Sequence, residues 1–405
     1  MTWLTWLIGI LTFASPNGLL AEELPVNYVP VRAIGMGGAS AALSNDENSL
    51  FTNPAGIARV RKARSRKTNN LTSIPNLLVG LNGESRDFYE VLSKTDDKSV
   101  ENILAQSEDL GNKPFWARAS AFPVTMVEMG RGNPTAFGLF ANNRASSLIS
   151  KEEPGVARTT VISDVGAALG FALTNRNNLA TLGFSLRPTY RYAYEDKIPS
   201  DILLDKTELP KRIKAGANKS SGIGMDVGFL YTLADFWFPT LGVSVLNLPT
   251  GCKENYLNPY SETRQTVCGT VYSGDIGNPE ALSTVDPMDL RVGLSILPRI
   301  TRKVALRLAM DLHHLNVPMG DQNYGLTDID IAKSVHAGLE LVFGNPLDPE
   351  HIAFRVGLNQ GYFTMGASLT FGMLAIDFAS YGVDVSPTPT PIEDRRYLMG
   401  LSLRL

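Results

Sequence analysis

From residue 69 to the end of this chain, apolar and non-apolar residues alternate with a period of two. In residues 165 to 173, Val165, Ala167, Leu169, Phe171 and Leu173 fall on one face, with Gly166, Ala168, Gly170 and Ala172 on the other. Ile223, Met225, Val227, Phe229 and Tyr231 oppose Gly224, Asp226 and Gly228 in the same way. Leu290, Val292, Leu294 and Ile296 oppose Arg291, Gly293 and Ser295, and Leu306, Leu308, Met310 and Leu312 oppose Arg307, Ala309, Asp311 and His313. Successive side chains of a strand point to opposite faces, so each segment is a strand with one greasy face and one small or charged face. Such segments are predicted at 69–82, 115–127, 134–148, 159–174, 179–194, 221–233, 238–248, 289–298, 302–315, 331–343, 351–359, 361–371, 373–383 and 395–405. Residues 86–111 break the pattern: Phe88, Val91, Leu92, Val100, Ile103 and Leu104 recur at helical spacings, as in a short amphipathic insert.

The second face decides the architecture. A soluble sandwich decorates its outer face with Thr, Lys, Glu and Ser, whereas this face holds Gly with occasional Arg, Asp and Glu. Small inward residues leave room for something inside. The pattern therefore predicts an all-β fold, a transmembrane antiparallel β-barrel of about 14 strands, apolar outside, polar inside and containing a plug. Membrane barrels must close, because no water in the bilayer satisfies an open edge. No uninterrupted apolar run of about 18 residues follows the N-terminus, which argues against helical spans.

The plug is the stretch from 32 to 58, RAIGMGGASAALSNDENSLFTNPAGIA. Gly35, Gly37 and Gly38 allow tight bends and close backbone approach. Pro54 removes a donor and pushes Asn53 out of the helical region, so the Asn53 amide turns back onto nearby main chain. This stretch is similar to the N-terminal hatch of the FadL-like outer-membrane barrels, the long-chain fatty-acid and aromatic-hydrocarbon transporters, with Asn53, Pro54 and Ala55 on that family's NPA motif. It also resembles the opening of the PorV-like relatives, which serve protein secretion. The resemblance covers about a fifteenth of the chain and implies a 14-strand barrel gated by a lumen hatch. The terminal Gly400-Leu401-Ser402-Leu403-Arg404-Leu405 looks like the signal by which such barrels are recognised for assembly, with Leu in place of the usual final aromatic.

Composition sharpens this only slightly. A net charge of -3 argues against a nucleic-acid partner. A hydrophobic content of 44% with mean hydropathy -0.02 fits a soluble protein or a barrel whose two faces average out. Residues 1–21, apolar around 7–11 and broken by Pro16, Asn17 and Gly18, read as a secretory signal peptide. The alternative is an uncleaved anchor or a buried segment. The domain plan is thus 1–21 leader, 22–68 periplasmic segment and hatch, and 69–405 barrel. Residues 59–67, RVRKARSRK, are a solvated charged face, or a rim cluster against acidic lumen residues or anionic headgroups, the latter worth about 1 kcal/mol per group, with nucleic acid a third reading.

Cys252 and Cys268, the only cysteines, lie in the long connection 249–288. In an oxidising compartment they most simply pair, contributing roughly 3 kcal/mol in the chain-entropy model, and no nearby His supports a metal site instead. A disulfide fits an extracellular loop. Nothing argues for catalysis or a cofactor. His313 and His314 on one strand would point to opposite faces and are read as rim or lumen residues, Glu152 and Glu153 sit in an apparent turn, and Gly35 to Gly38 lacks the context of a phosphate loop.

The inward charges Asp226, Arg291, Arg307, Asp311, Glu340, Arg355, Asp377 and Arg404 are read as ion-pair ladders holding the plug. Two functions follow from the resemblance: passive uptake of hydrophobic small molecules, or a PorV-like barrel that partners secreted proteins through 86–111, 195–220 or 249–288. A structural barrel without transport is the blandest alternative. The partners implied are membrane lipids, a hydrophobic ligand and the barrel assembly machinery.

Overall fold

The computed structural model describes residues 28, 30–60, 71–85, 114–129, 133–149, 156–177, 179–199, 202, 207–233, 237–257, 264–275, 284–298, 300–301, 303–315, 334–344, 351–385 and 393–404. The leader 1–21, most of the basic run, the insert 86–111 and the Glu152-Glu153 pair lie outside the described residues.

The strands in chain order are β1 (Leu71–Asn82), β2 (Pro114–Ala121), β3 (Val124–Met129), β4 (Asn133–Ile149), β5 (Val156–Thr174), β6 (Ala180–Pro199) and β7 (Asn218–Thr232). They continue with β8 (Thr240–Leu246), β9 (Gly251–Leu257), β10 (Arg264–Val271), β11 (Ser273–Asp275), β12 (Val285–Pro287) and β13 (Asp289–Ile296). The last six are β14 (Val304–Leu312), β15 (Val335–Phe343), β16 (His351–Asn359), β17 (Tyr362–Phe371), β18 (Leu374–Asp384) and β19 (Glu393–Arg404). Antiparallel pairing runs around a ring from β8 through β7, β6, β5, β4, the β2/β3 pair, β1 and β19, then down through β18 to β13 and back to β8. Counting β2 and β3 as one broken stave, the ring has 14 staves and no free edge. Each corresponds to one of the segments marked out by alternation.

Two features depart from the expected strand map. The segment 115–127 is two strands, because Pro123 has no amide hydrogen to place in the ladder. The break is bridged: the Phe122 amide donates to the Asn76 carbonyl at 2.8 Å, and the Leu139 amide to the Pro123 carbonyl at 3.0 Å. The connection 249–288 is not simply a polar loop, because β9, β10 and β12 form a separate small sheet there. Cys252 and Cys268 are opposed across β9 and β10 and are joined by a disulfide.

The long connections all leave one end of the barrel, the asymmetry of outer-membrane barrels, although that end also carries the two-residue turn at Gln360 and Gly361 between β16 and β17. β4, β5 and β6 have 17, 19 and 20 residues, well beyond the about 9–11 needed to cross the hydrocarbon. Their surplus projects at the long-loop end, beside the disulfide-tied sheet.

The two faces of the staves sort as the alternation demands. Leu77, Val79 and Leu81 of β1, Phe137 and Leu139 of β4, Val165, Leu169 and Phe171 of β5, and Tyr397 and Met399 of β19 are exposed around the outside. A continuous apolar band on a closed barrel is a lipid-facing surface. Among the described residues no helix is long and apolar enough to cross a membrane, so the crossing is made by strands.

Candidate functional site: the hatch and its seats

The segment from Val31 to Val60 lies inside the ring. It holds α1 (Val31–Gly35), α2 (Ser49–Thr52) and a 3-10 turn (Pro54–Arg59), and most of its side chains are buried. Its path follows its small residues. Gly37 and Gly38 take φ of 71° and 92°, a left-handed bend that a side chain would strain.

The wall has been hollowed opposite the hatch by cross-strand pairs of glycines. Gly183 and Gly228, paired across β6 and β7, receive Asn53, Pro54 and Ala55. Gly242 and Gly293, paired across β8 and β13, receive Ala41. Gly338 and Gly357, paired across β15 and β16, receive Met36 and Gly37. A methyl group on Gly228 would collide with the Asn53 side chain and lie 2.9 Å from Pro54 Cδ, and one on Gly338 would lie 2.6 Å from Met36 Cα. On β17, Gly366 stands 3.0 Å from the Gly35 Cα by the same construction. These inward glycines are therefore positions where hatch backbone lies against wall backbone.

Polar bonds fix the same arc. The Gly37 amide donates to Thr364 Oγ1 at 3.0 Å, and the His336 Nδ1–H donates to the Gly37 carbonyl at 2.8 Å. The Ser40 and Ala41 amides both donate to Asp311 Oδ2, at 2.5 and 2.6 Å. The Asn53 amide nitrogen donates to the carbonyls of Ala41 (2.7 Å), Val243 (3.3 Å) and Phe229 (3.4 Å), while its oxygen accepts from the Ala55 amide at 3.1 Å. Asn53 thus closes the hatch on itself and ties it to β7 and β8. Its backbone is extended (φ -151°), as the following proline requires.

Charge completes the attachment. Glu340 accepts from Arg32 Nε and Nη2, both at 3.1 Å, from Arg355 Nε at 2.8 Å and from Arg307. Arg32 reaches on to Asp46 and Asn45, each at 2.9 Å, so one guanidinium joins the wall to both limbs of the hatch. Burial opposes the charge on Arg32, but Glu340 and Asp46 outweigh it and hold the guanidinium above its ordinary pKa. Arg355 also donates to Ser368 (2.5 Å) and approaches Asp377 at 3.5 Å, and Arg404 donates to Glu47 at 3.0 Å.

Of the eight predicted lumen charges, Arg307, Glu340, Arg355 and Asp377 meet in this one cluster. Asp311 binds hatch backbone and Arg404 binds a hatch carboxylate. Asp226 pairs with Arg187 (2.8 Å) and Arg291 with Asp289 (2.6 Å), wall to wall. Arg32 was not singled out by sequence, although it is the first basic residue of the chain and stands among small apolar neighbours. His313 and His314 do not point to opposite faces. Both are buried just past the end of β14, because the backbone turns at His314 (φ 55°). His313 stacks on His336 with ring centroids 4.0 Å apart. Among the described residues no group of three or more His, Cys, Asp or Glu is arranged to hold a metal ion.

Opposite β3, β4 and β5 the contact changes character. Tyr28 and Phe51 of the N-terminal segment pack on Phe122 at the broken stave, with centroids at 4.4 and 5.3 Å, and Phe51 packs on Phe140 at 6.0 Å. Leu50, Ile57, Val124, Met126 and Ala136 complete this apolar cluster. At the long-loop end, Arg191 of β6 is buried between Asp164 (2.6 Å) and Asp286 (2.8 Å), its guanidinium 3.9 Å from the centre of the Tyr272 ring. Tyr272 donates to Asp286 at 2.7 Å. These four residues pin the disulfide-tied sheet to the wall. Burial opposes the Asp286 charge, but Arg191 holds its carboxyl below the ordinary carboxylate value.

A closed 14-stave barrel with a lipid-facing belt, a charged interior and an N-terminal segment folded inside defines a hatch-bearing outer-membrane barrel. No family model matches the sequence, and no curated protein matches it. Among solved structures the chain is similar to the Pseudomonas putida toluene transporter TodX, at 11% identity over 95% of this chain and 98% of that one, with a TM-score of 0.51. It is also similar to the deltaS2 mutant of the TodX monoaromatic hydrocarbon channel, at 12% identity over 93% and 97% of the two chains, with a TM-score of 0.52. The chain has the fold of the TodX-like 14-strand outer-membrane barrels.

Proposed function

We propose that this protein passes hydrophobic small molecules, fatty acids or aromatic hydrocarbons, passively across the outer membrane, with residues 32–58 as the hatch. The observation that carries this reading is the aromatic cluster of Tyr28, Phe51, Phe122 and Phe140, placed where the hatch meets a broken stave of the wall. Aromatic faces in a buried site suit apolar ligands, with a few polar groups to orient them. TodX, which shares this fold, is described as a toluene transporter. The leader 1–21 directs export, 69–405 supply the lipid-embedded barrel, and the terminal strand is read by the assembly machinery. Gly35, Gly37, Gly38 and the Asn53-Pro54-Ala55 turn shape the hatch, and Asp311, Arg307, Glu340, Arg355, Asp377 and Arg404 hold it. The Cys252–Cys268 bridge steadies the outer sheet.

Purified barrel in liposomes tests this by its uptake of toluene, decane and oleate. Saturable entry of at least one supports the reading, and no entry of any, in a barrel that copurifies with secreted proteins, overturns it. The second reading, a PorV-like partner of secreted proteins, draws support from the outer sheet pinned over β6 by Arg191, which offers a fixed surface at the barrel mouth.

A further inference from the structure

The hatch is attached on one side and merely packed on the other. Over residues 35–42 and 53–55 its backbone lies on the glycine pairs of β6/β7, β8/β13 and β15/β16, and its amides and carbonyls bond to Asp311, Thr364 and His336. From Asn48 to Thr52 the hydrogen bonds among the described residues stay within the N-terminal segment. The Ser49 amide donates to the Asp46 carbonyl (3.0 Å), the Phe51 amide to the Asn48 carbonyl (3.0 Å), and the Thr52 hydroxyl to the Asn48 carbonyl (3.1 Å). Asn48 itself is held by the Tyr28 hydroxyl. This stretch meets the wall through apolar side chains, Leu50 against Gly138 and Gly170 and Phe51 against Phe122 and Phe140.

We infer that the moving part of the hatch is the α2 turn, residues 48–52, that the Asn53-Pro54-Ala55 turn is its fixed hinge, and that the ligand path opens along the inner face of β3, β4 and β5. This rests on the channel reading above. Apolar contacts slide and refill with an apolar ligand at little cost, whereas lifting residues 36–41 would strip the Asp311 carboxylate of the Ser40 and Ala41 amides and leave the Gly37 carbonyl without its His336 donor. Elements that move are drawn from those with few bonds to the scaffold. Asn53 is suited to be the hinge because its bonds to β7 and β8 do not depend on where α2 lies.

Amide hydrogen exchange on the native barrel reads the mobility directly. The Ser49 and Phe51 amides are expected to exchange at least ten-fold faster than those of Ser40 and Ala41, and equal or slower exchange would overturn the inference. A cleavable thiol cross-linker then reads the route. Bridging Phe51→Cys to Phe122→Cys is expected to lower toluene uptake at least ten-fold and reversibly, while bridging Ala42→Cys to Ser295→Cys leaves it within two-fold. The opposite pattern would place the moving part on the glycine-seated side. A wild-type barrel that passes none of toluene, decane and oleate would sink the channel reading instead, and the exchange rates would still decide which part of the hatch moves.

Discussion

Against β13 to β18 the hatch meets the wall through charge and backbone as well as the packing of Val31, Ile34, Met36 and Ala39, whereas against β3 to β5 it meets it through the packing of Tyr28, Leu50 and Phe51 on Phe122 and Phe140. The first contact needs glycine, because hatch and wall backbones come closer than a Cβ allows at Gly242, Gly338 and Gly357. The second joins bulky side chains, Tyr28, Leu50, Phe51, Phe122 and Phe140, to a wall kept small at Ala136, Ala168, Ala172, Gly138 and Gly170. The difference teaches how one plug can be retained and yet yield. Close backbone contact with buried hydrogen bonds is all-or-none, while apolar packing has many nearly equivalent arrangements.

The comparison is broken most severely at Glu340. Glu340→Gln leaves Arg32, Arg307 and Arg355 crowded around a neutral amide, and loss of one partner of a buried ion network costs about 3–5 kcal/mol. The urea midpoint of the folded barrel should fall accordingly, and an unchanged midpoint would mean the cluster does not hold the hatch. Next comes Gly228→Val, which drives a side chain into Asn53 and Pro54. Overpacking of this kind costs about 1–3 kcal/mol, and the same change at Gly83, where no atom lies within 4 Å of the added Cβ, should not show this collision. Asn53→Ala follows. It removes the donor shared by the Ala41, Phe229 and Val243 carbonyls and should cost about 1–3 kcal/mol, read by the same denaturation.

The smallest effect is expected at Asp286. Its folded pKa is depressed, so its contribution is fully present above the unfolded carboxylate value of about 4 and is lost as pH falls through the lower folded value. Exchange protection at the Thr270 and Val271 amides of the outer sheet should therefore decline only in acid below about pH 4. A decline near neutral pH would contradict the assignment.

The barrel was largely legible because every stave repeats one message, apolar out and small or charged in, and 14 repeats of it leave little freedom. The hatch was legible because Gly35 to Gly38 and Asn53-Pro54-Ala55 have no place in a strand. The break at Phe122 and Pro123 was visible only as a proline within an otherwise good pattern. The outer sheet was missed because β9, β10 and β12 are short and polar and lack the two-faced signature of a lipid-facing stave. The hatch contacts were illegible for a different reason. Arg32 is 308 residues from Glu340, and Gly183 and Gly228 become partners only through the register of β6 and β7. Spacing along a chain carries no information about which staves converge on one plug. His313 and His314 failed because a two-residue period holds only while the strand lasts.

The central claim, that the aromatic flank is where the barrel yields to an apolar ligand, meets its most direct test in toluene uptake by liposomes carrying Phe51→Leu beside wild type. Shrinking that ring loosens its packing on Phe122 and Phe140 without touching any hatch hydrogen bond, at a cost of about 1 kcal/mol in stability. The account predicts uptake at least three-fold faster than wild type. Uptake that is unchanged or slower, in a variant as stably folded as that cost implies, would contradict it.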